Sequence, residues 1–420
     1  MKKIICPFCF HKFSASDLWF RCENSNCRGP KSGNASFPKN DPVLDGFWNG
    51  NMGPKKFPFQ PGFSLFGSST AKCPACKEET LNIICPNCHS SLDREMMKDD
   101  SSVISIIGGP GSGKTNYITV LIWELLKKSY TFDASIQVIT CGDYMDGVTP
   151  YTTAHRYKKD FYNLLFEKHI CHASTQKENK ENMIPLIYRL TIGEDTKGRG
   201  KGKSVFLVFY DTAGESFFSN DNIAQYARFL KHSAGIIFLL DTWGIAEIQN
   251  NDTQISQKKP LRFNLILDNL LEYLQNKMKE NEQVEFKRKP IALSFSKIDT
   301  VLNNNKYDLP GLGMNKNSSF LTEKNQISLK DLSSMHTGLN SELRNWGENQ
   351  FLRNVKYKLG EKVRFFGFSA LGQMPSGPQT NIVTAIQPYR VLDPLVWILY
   401  ELGYPIPLKK EKQVPIKIID

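Results

Sequence analysis

Runs of apolar residues of strand length alternate with segments of helical periodicity from about residue 101 to residue 404. A buried strand is a short continuous apolar run, whereas an amphipathic helix repeats its apolar positions every three or four residues. The runs that predict strands are 102–107, 136–140, 184–192, 204–210, 235–240, 290–295 and 363–368. The segments that predict helices are 116–128, 151–171, 223–231, 261–279 and 393–402. This alternation predicts an α/β layer fold.

The first hundred residues follow a different pattern. Residues 1–29 and 71–100 are rich in cysteine, and residues 30–70 between them are rich in Gly, Pro, Asn and Phe, which is typical of an extended connector. Within the α/β region 101–404, the polar stretch at about 303–340 predicts an inserted loop. Residues 405–420 predict a C-terminal tail.

The chain has 420 residues and a formal net charge of +11 at pH 7. Such a charge would suit an acidic partner such as a nucleic acid or an anionic lipid, but does not require one. The basic residues are spread along the chain, however, and the densest run, 197–203, alternates with glycine as a solvated loop does. The longest apolar runs are far shorter than the roughly 20 residues of a membrane span, so we expect a cytoplasmic protein without one.

Eight of the ten cysteines occur before residue 90 in close pairs. The spacing suits four thiolates around a structural zinc ion, and metal ligation fits a reducing compartment better than disulfides do. The simplest grouping is by proximity, with exchange of ligands between the groups left open. It gives two zinc sites, one of Cys6, Cys9, Cys22 and Cys27 and one of Cys73, Cys76, Cys85 and Cys88. We expect His11 and His89 to be solvent-facing neighbours of these sites.

A phosphate-binding loop lies between the first predicted strand and the first predicted helix of the α/β region. Glycines allow a backbone nest that surrounds phosphate oxygens, and the helix N-terminus adds positive charge. Lys114 would reach the β- and γ-phosphates, and Thr115 would ligate Mg²⁺. The predicted nucleotide-binding residues of this loop are Gly108, Gly109, Gly111, Ser112, Gly113, Lys114, Thr115 and Asn116.

Three further motifs each follow a predicted strand. Asp211 can hold magnesium, and Gly214 can offer its N–H to a γ-phosphate. Lys297 can lie along a guanine base, and the Asp299 carboxylate can accept from guanine N1 and N2. The segment Ser369-Ala370-Leu371 can place a backbone N–H at guanine O6.

With these four motifs, residues 101 to about 403 resemble a Ras-like GTPase domain of the TRAFAC class. Zinc knuckles followed by such a domain resemble the bacterial double-GTPase group linked to conflict and defence systems. The resemblance implies a mostly parallel sheet flanked by helices, binding of GTP, GDP and Mg²⁺, and switch segments that order around the γ-phosphate.

The chain departs from the family pattern at two positions. Ser296 stands where the family has Asn or Thr, which shortens one tether between the base loop and the phosphate loop. Glu215 stands where Ras-like proteins carry the Gln that positions the attacking water, so we expect intrinsic hydrolysis to be slow or to depend on a group from a partner. The predicted catalytic residues are Lys114, Gly214 and Glu215.

The magnesium-binding threonine of the first switch is not fixed by the sequence. The candidates are Thr149, Thr152 and Thr153. Arg156 suits an internal arginine finger, but an exposed helix arginine is the simpler interpretation.

These observations favour a GTP-binding, Mg²⁺-dependent molecular switch that signals to protein partners. One rival is a GTP-dependent scaffold that does not hydrolyse its nucleotide. A second is a nucleic-acid-binding NTPase that reads its target with the zinc region, which is disfavoured because that region lacks a dense Arg/Lys face with interleaved aromatics.

Overall fold

A computed structural model describes most of the chain. The residues that it describes are 3–27, 29, 41–48, 57–62, 70–97, 102–109, 111–129, 136–141, 153–172, 185–193, 203–209, 231–252, 255, 262–302, 326–375 and 385–409.

The cysteine-rich segments fold together into one unit of short strands, here called the zinc unit after the zinc sites that its cysteine spacing predicts (residues 3–27, 29, 41–48, 57–62 and 70–97). Its elements are β1 (Lys3–Ile5), β2 (Lys12–Ser14), β3 (Trp19–Arg21), α1 (Pro42–Trp48), β4 (Pro58–Phe59), β5 (Ala71–Lys72), β6 (Glu79–Thr80) and β7 (Ile83–Ile84). Strand β3 pairs with β4 on one side and with β7 on the other, so both cysteine segments share one sheet.

The described part of the predicted connector includes a helix as well as a short strand, so it is not an extended connector throughout, which corrects that expectation. Helix α1 begins after Asp41, whose Oδ1 accepts hydrogen bonds from the backbone N–H groups of Val43 and Leu44. Phe57 and Phe59 are buried, and the Phe59 ring stacks on Phe20 of β3. Phe57 and Phe59 therefore contribute to the core of the zinc unit.

Seven described strands form the main sheet, and the predicted α/β class with a mostly parallel sheet is confirmed. The strands are β8 (Val103–Gly108), β9 (Ile136–Cys141), β10 (Leu186–Ile192), β11 (Lys203–Phe209), β12 (Gly235–Asp241), β13 (Ile291–Ser296) and β14 (Val363–Gly367). Their order is β14-β13-β12-β8-β11-β10-β9, and β10 is antiparallel to both of its neighbours. The other described pairings are parallel.

Helices connect and cover these strands. They are α2 (Lys114–Ser129), α3 (Thr153–Arg156), α4 (Ala246–Asn251), α5 (Phe263–Lys277), α6 (Glu280–Lys287), α7 (Asp299–Leu302), α8 (Leu329–Asn345), α9 (Asn349–Leu359) and α10 (Asp393–Glu401). Helix α3 continues as a π-helix over Tyr157–Glu167, a form that is rare at this length. None of the helices in the described segments is long and apolar enough to span a membrane.

The predicted inserted loop at about 303–340 ends earlier than expected, because α8 begins at Leu329. The Ser328 side chain caps α8 by accepting from the Asp331 N–H. Leu332, Met335, Leu339 and Leu343 form its buried face. This apolar face was not predicted because the segment as a whole is polar in composition.

The first residues of the predicted tail are also ordered. Ile327 forms a parallel β-bridge with Leu408, supported by backbone hydrogen bonds to Pro407 and from Lys409. Ile406 is buried. The segment to residue 409 is therefore part of the folded domain.

The zinc unit packs where β12 and β13 begin. Phe10, which follows the first Cys-x-x-Cys pair, stacks on His232 just before β12, with ring centroids 6.3 Å apart. Lys289, just before β13, donates to the Lys231 carbonyl oxygen, and its burial lowers its pKa to about 8. The buried residues of the zinc unit and of the main sheet form one continuous core.

Candidate functional site

The phosphate loop joins the carboxyl end of β8 to the first turn of α2. Gly111 and Gly113 have φ values of +74° and +73°, a region that glycine enters without strain. A Cβ on Gly108 would lie 2.5 Å from Ser112 Oγ and 2.9 Å from the Leu239 side chain. Each of these glycines is therefore required by the local geometry.

The two side chains predicted to bind phosphate and magnesium stand at the start of α2. Lys114 is its first residue and is buried, and Thr115 follows it. The Tyr117 N–H donates to the Gly113 carbonyl oxygen at 2.8 Å, so the helical bonding begins inside the loop. The N–H groups at this helix end point toward the loop, where an anion would bind.

Asn116, predicted to bind nucleotide, uses its side chain elsewhere. Its Nδ2 donates to the His172 carbonyl oxygen at 3.3 Å, and its Oδ1 accepts from the His172 N–H at 3.1 Å. His172 Nε2 in turn lies 3.1 Å from the Phe161 carbonyl oxygen. The Asn116 amide therefore ties the segment after the π-helix to the phosphate-loop helix.

The predicted base-binding residues lie together at the carboxyl ends of β13 and β14. Asp299 is the first residue of α7 and is buried. Burial raises the pKa of the Asp299 carboxyl, while a hydrogen bond with the Ser369 side chain lowers it. The structure thus brings Asp299 and Ser369 together at the ends of two neighbouring strands.

The loop Ser369-Ala370-Leu371 is held by residues that sequence reasoning missed. Ser369 and Tyr389 exchange two backbone hydrogen bonds, and the Gln387 N–H donates to the Leu371 carbonyl oxygen. Ser369 Oγ accepts from the Gly372 N–H at 2.8 Å. No local motif marks these supporting residues, because the bridge joins positions twenty residues apart in sequence.

A buried arginine anchors this supporting segment. Arg390 Nε donates to Asp393 Oδ2 at 2.6 Å, and its Nη2 pairs with Asp331 of α8. The Tyr117 hydroxyl donates to the Val391 carbonyl oxygen at 3.1 Å. Residues 387–393 therefore contact both the base loop and the phosphate-loop helix.

A second unpredicted cluster lies between the phosphate loop and Lys297. Asp241, the last residue of β12, forms an ion pair with Lys297 Nζ at 2.9 Å. The Lys297 ammonium also lies 3.8 Å from the centroid of the Trp243 ring. Ser296 Oγ donates to the Leu240 carbonyl oxygen at 3.2 Å, so that hydroxyl is directed into the sheet.

Several predicted residues lie outside the described part of the chain, namely Asp211, Gly214, Glu215, Thr149 and Thr152. Thr153 is described, and its Oγ1 accepts from the Ile187 N–H of β10. Arg156 is buried, so the interpretation of it as an exposed helix arginine is wrong.

The eight cysteines of the zinc unit form two groups, but not the groups that proximity in sequence suggests. One group is Cys6, Cys9, Cys85 and Cys88, and the other is Cys22, Cys27, Cys73 and Cys76. The two sites therefore exchange ligands between the segments, which is the alternative that the sequence left open.

Both groups fit tetrahedral zinc. Zn–S bonds of about 2.3 Å in a tetrahedron place neighbouring sulfurs roughly 3.8 Å apart. The Sγ–Sγ distances are 3.7 Å for Cys6–Cys88, 3.6 Å for Cys9–Cys85, 3.7 Å for Cys22–Cys76 and 3.8 Å for Cys27–Cys73. Four thiolates fill the coordination shell, so a zinc ion here would be structural rather than catalytic.

Three of the four cysteine pairs share one backbone turn. The residue after the second cysteine, Phe10, Lys77 or His89, has φ between +56° and +67°. In each turn the N–H of that residue donates to the carbonyl oxygen of the first cysteine. Sequence alone marked the Cys-x-x-Cys spacing but gave no sign of this repeated left-handed residue.

His89 is buried, which corrects its assignment as solvent-facing, whereas His11 is exposed as expected. His89 Nδ1 lies 2.9 Å from the Asp41 carboxylate, which also pairs with Arg21 at 3.1 Å. Arg21 Nη2 donates to the His89 carbonyl oxygen at 2.7 Å. This cluster fixes the start of α1 to the turn of a cysteine pair.

Comparison with known proteins gives one partial family match and one relative. A family model described as poxvirus A32 protein matches residues 89–258, which include the phosphate loop. The "Putative ESX-1 scaffolding and assembly protein SaeC" of Mycolicibacterium smegmatis is 25% identical over 361 residues, covering 82% of this chain and 86% of the relative.

Two solved structures of GTP-binding proteins are also similar in part. One is the signal recognition particle receptor SRb-GTP/SRX complex from Chaetomium thermophilum, with 15% identity and a TM-score of 0.27 over 66% of this chain and 93% of that chain. The other is the GTP-bound Ski7 GTPase-like domain of S. cerevisiae, with 12% identity and a TM-score of 0.29 over 74% of this chain and 51% of that chain. TM-scores this low do not establish a shared fold.

Proposed function

We propose that this protein binds GTP through a Ras-like P-loop domain of the TRAFAC class and acts as a slowly hydrolysing, Mg²⁺-dependent switch on protein partners. The observation that carries the proposal is the placement of two loops at one edge of the main sheet. The phosphate loop follows β8, and Asp299 with Ser369 follows β13 and β14, two and three strands away in the sheet. Ligands of parallel α/β sheets bind at the carboxyl ends of the strands.

The buried Asp299 carboxylate supports selection of guanine. A buried acceptor that loses its partners costs free energy, so a base without the N1 and N2 donors is rejected. Adenine lacks this pair of donors. Lys114 and the loop amides would bind the phosphates, Thr115 and Asp211 would hold Mg²⁺, and Glu215 would lie near the attacking water.

The experiment that tests the proposal is a titration of labelled GTP, ATP and XTP against the protein and against Asp299→Asn. The unaltered protein should bind GTP more tightly than ATP or XTP. In the variant, the affinity for XTP should rise relative to the affinity for GTP, because an amide can donate to the xanthine 2-oxo group. Equal affinity for GTP and ATP in the unaltered protein would refute the base-site assignment.

A second candidate is a GTP-dependent scaffold that does not turn over its nucleotide. It is favoured by the similarity to a protein whose name describes scaffolding and assembly. Product analysis after long incubation with GTP and Mg²⁺ separates the two candidates. A switch yields GDP, and Glu215→Gln should leave its single-turnover rate unchanged or raise it, whereas a scaffold leaves GTP intact.

A further inference from the structure

Lys297 is held by groups that lie outside its own loop. Its backbone has a φ of +57°, an uncommon conformation for a residue other than glycine. Its ammonium lies between the Asp241 carboxylate at 2.9 Å and the face of the Trp243 ring at 3.8 Å. Both partners belong to the carboxyl end of β12 and the turn after it.

The same carboxylate contacts the phosphate loop. A Cβ placed on Gly111 would lie 3.2 Å from Asp241 Oδ2, so this oxygen is packed against the loop backbone. Oδ1 accepts from the Trp243 N–H at 3.1 Å, which fixes the orientation of the carboxylate. Asp241 is 7% exposed. One buried carboxylate thus contacts the phosphate loop through Gly111 and the base loop through Lys297.

A nucleotide that fills both loops requires them at a fixed separation. A ligand that contacts both loops loses affinity if the loops must first be ordered relative to one another. A protein that already holds the two loops in the correct relative geometry avoids this entropic cost. The benefit is lost for a ligand that occupies only one of the loops. Asp241 is therefore placed to influence the binding of a whole nucleoside triphosphate more than the binding of its phosphate part.

We propose that Asp241 is a positioning residue that fixes Lys297 against the phosphate loop and so sets the spacing between the base and phosphate subsites. This role rests on the proposed function as a guanine-nucleotide site. Asp241 acts through Lys297 and Gly111 and does not itself contact nucleotide or metal.

The test is a comparison of Asp241→Asn with the unaltered protein, because the amide keeps the shape of the side chain and removes its charge. Dissociation constants are measured for GTP and for inorganic triphosphate, each with Mg²⁺ and with EDTA. Asp268→Asn is the matched control, since its carboxylate accepts one hydrogen bond from Asn354, between helices α5 and α9. Lys297→Met and the double variant, which carries both Asp241→Asn and Lys297→Met, complete a double-mutant cycle.

Asp241→Asn should weaken GTP binding about tenfold, the size expected for one charge-assisted hydrogen bond. Binding of inorganic triphosphate should change by less than about twofold, which a general loss of structure would not permit. The double variant should bind GTP as Lys297→Met does, because the carboxylate acts through the lysine. If Asp241→Asn does not fold, the double variant is compared with Lys297→Met instead, since neutralising both members of a partly buried pair is tolerated better than removing one.

Unchanged or tighter GTP binding by Asp241→Asn overturns the proposal, as does an equal loss for GTP and inorganic triphosphate. A loss seen only with Mg²⁺ would show that Asp241 holds the metal, which also overturns it. Failure of the unaltered protein to bind GTP refutes the proposed function and this role together. Normal GTP binding by the variant refutes only the role of Asp241.

Discussion

The exchange of zinc ligands between distant segments can be tested with two quadruple cysteine variants. Variant one replaces Cys6, Cys9, Cys85 and Cys88 with Ser, which removes one group completely and leaves the other intact. Variant two replaces Cys6, Cys9, Cys22 and Cys27, which removes half of each group. The exchanged arrangement predicts about one zinc per chain in variant one and less than one in variant two, whereas grouping by proximity predicts the reverse.

The structure also gives the size of the effect on stability. The sites join Cys9 to Cys85 and Cys27 to Cys73, across separations of 76 and 46 residues. A cross-link that closes loops of this length removes chain entropy worth about 4 kcal/mol from the unfolded state. Loss of both sites should therefore destabilise the zinc unit considerably more than loss of one.

The assay is zinc content by elemental analysis after dialysis against a weak chelator, followed by thermal unfolding of each variant. Variant one should retain about one zinc ion per chain and should unfold at a higher temperature than variant two. A full zinc ion in variant two together with none in variant one would refute the exchanged arrangement.

Three further outcomes follow from the site and the core. Lys114→Ala should weaken GTP binding by about 100-fold or more, because it removes a charged phosphate ligand, while zinc content stays unchanged. Burial lowers the pKa of His336 to about 4, so protonation opposes folding, and stability present above pH 6.5 is lost as the pH falls toward 4, by up to about 3 kcal/mol. Urea unfolding at pH 7 and pH 4.5 should show a smaller loss for His336→Asn; an equal loss would contradict the assignment. Asp41→Ala should destabilise the zinc unit by roughly 3–5 kcal/mol, because it leaves Arg21 buried without its carboxylate. Asp17→Ala, at an exposed cap, is the control and should cost about 1 kcal/mol or less.

The strands of the main sheet were predictable because each contains a run of mostly apolar residues of strand length. A parallel strand covered on both faces leaves a continuous apolar run in the sequence, and β8 and β12 are buried at every residue. The phosphate loop was predictable for a similar reason, since its glycines, lysine and threonine are consecutive. Functional residues that are neighbours in the sequence form a motif that can be recognised without the structure.

What could not be predicted depends on contacts between distant segments. The cysteine spacing identifies each turn, but the pairing of β3 with β7 decides which turns share a metal. Asp241 ends an ordinary apolar strand, and only the folded sheet places it beside Gly111 and Lys297. Helix α8 was missed because most of its other residues are polar and its buried Leu and Met side chains recur only every three or four residues.

The exchanged ligands also determine when the zinc unit can form during synthesis. Cys6 and Cys88 belong to one site and are 82 residues apart. At ribosomal rates of about 5–20 residues per second, the first cysteines wait roughly 4–16 s for their last partner. Cys73 and Cys76 complete the other site before Cys85 and Cys88 are made, so zinc ions would be acquired at the two sites in a fixed order that is opposite to the order of their first ligands. The amino-terminal thiols would therefore remain without a complete set of metal ligands for the whole of that interval.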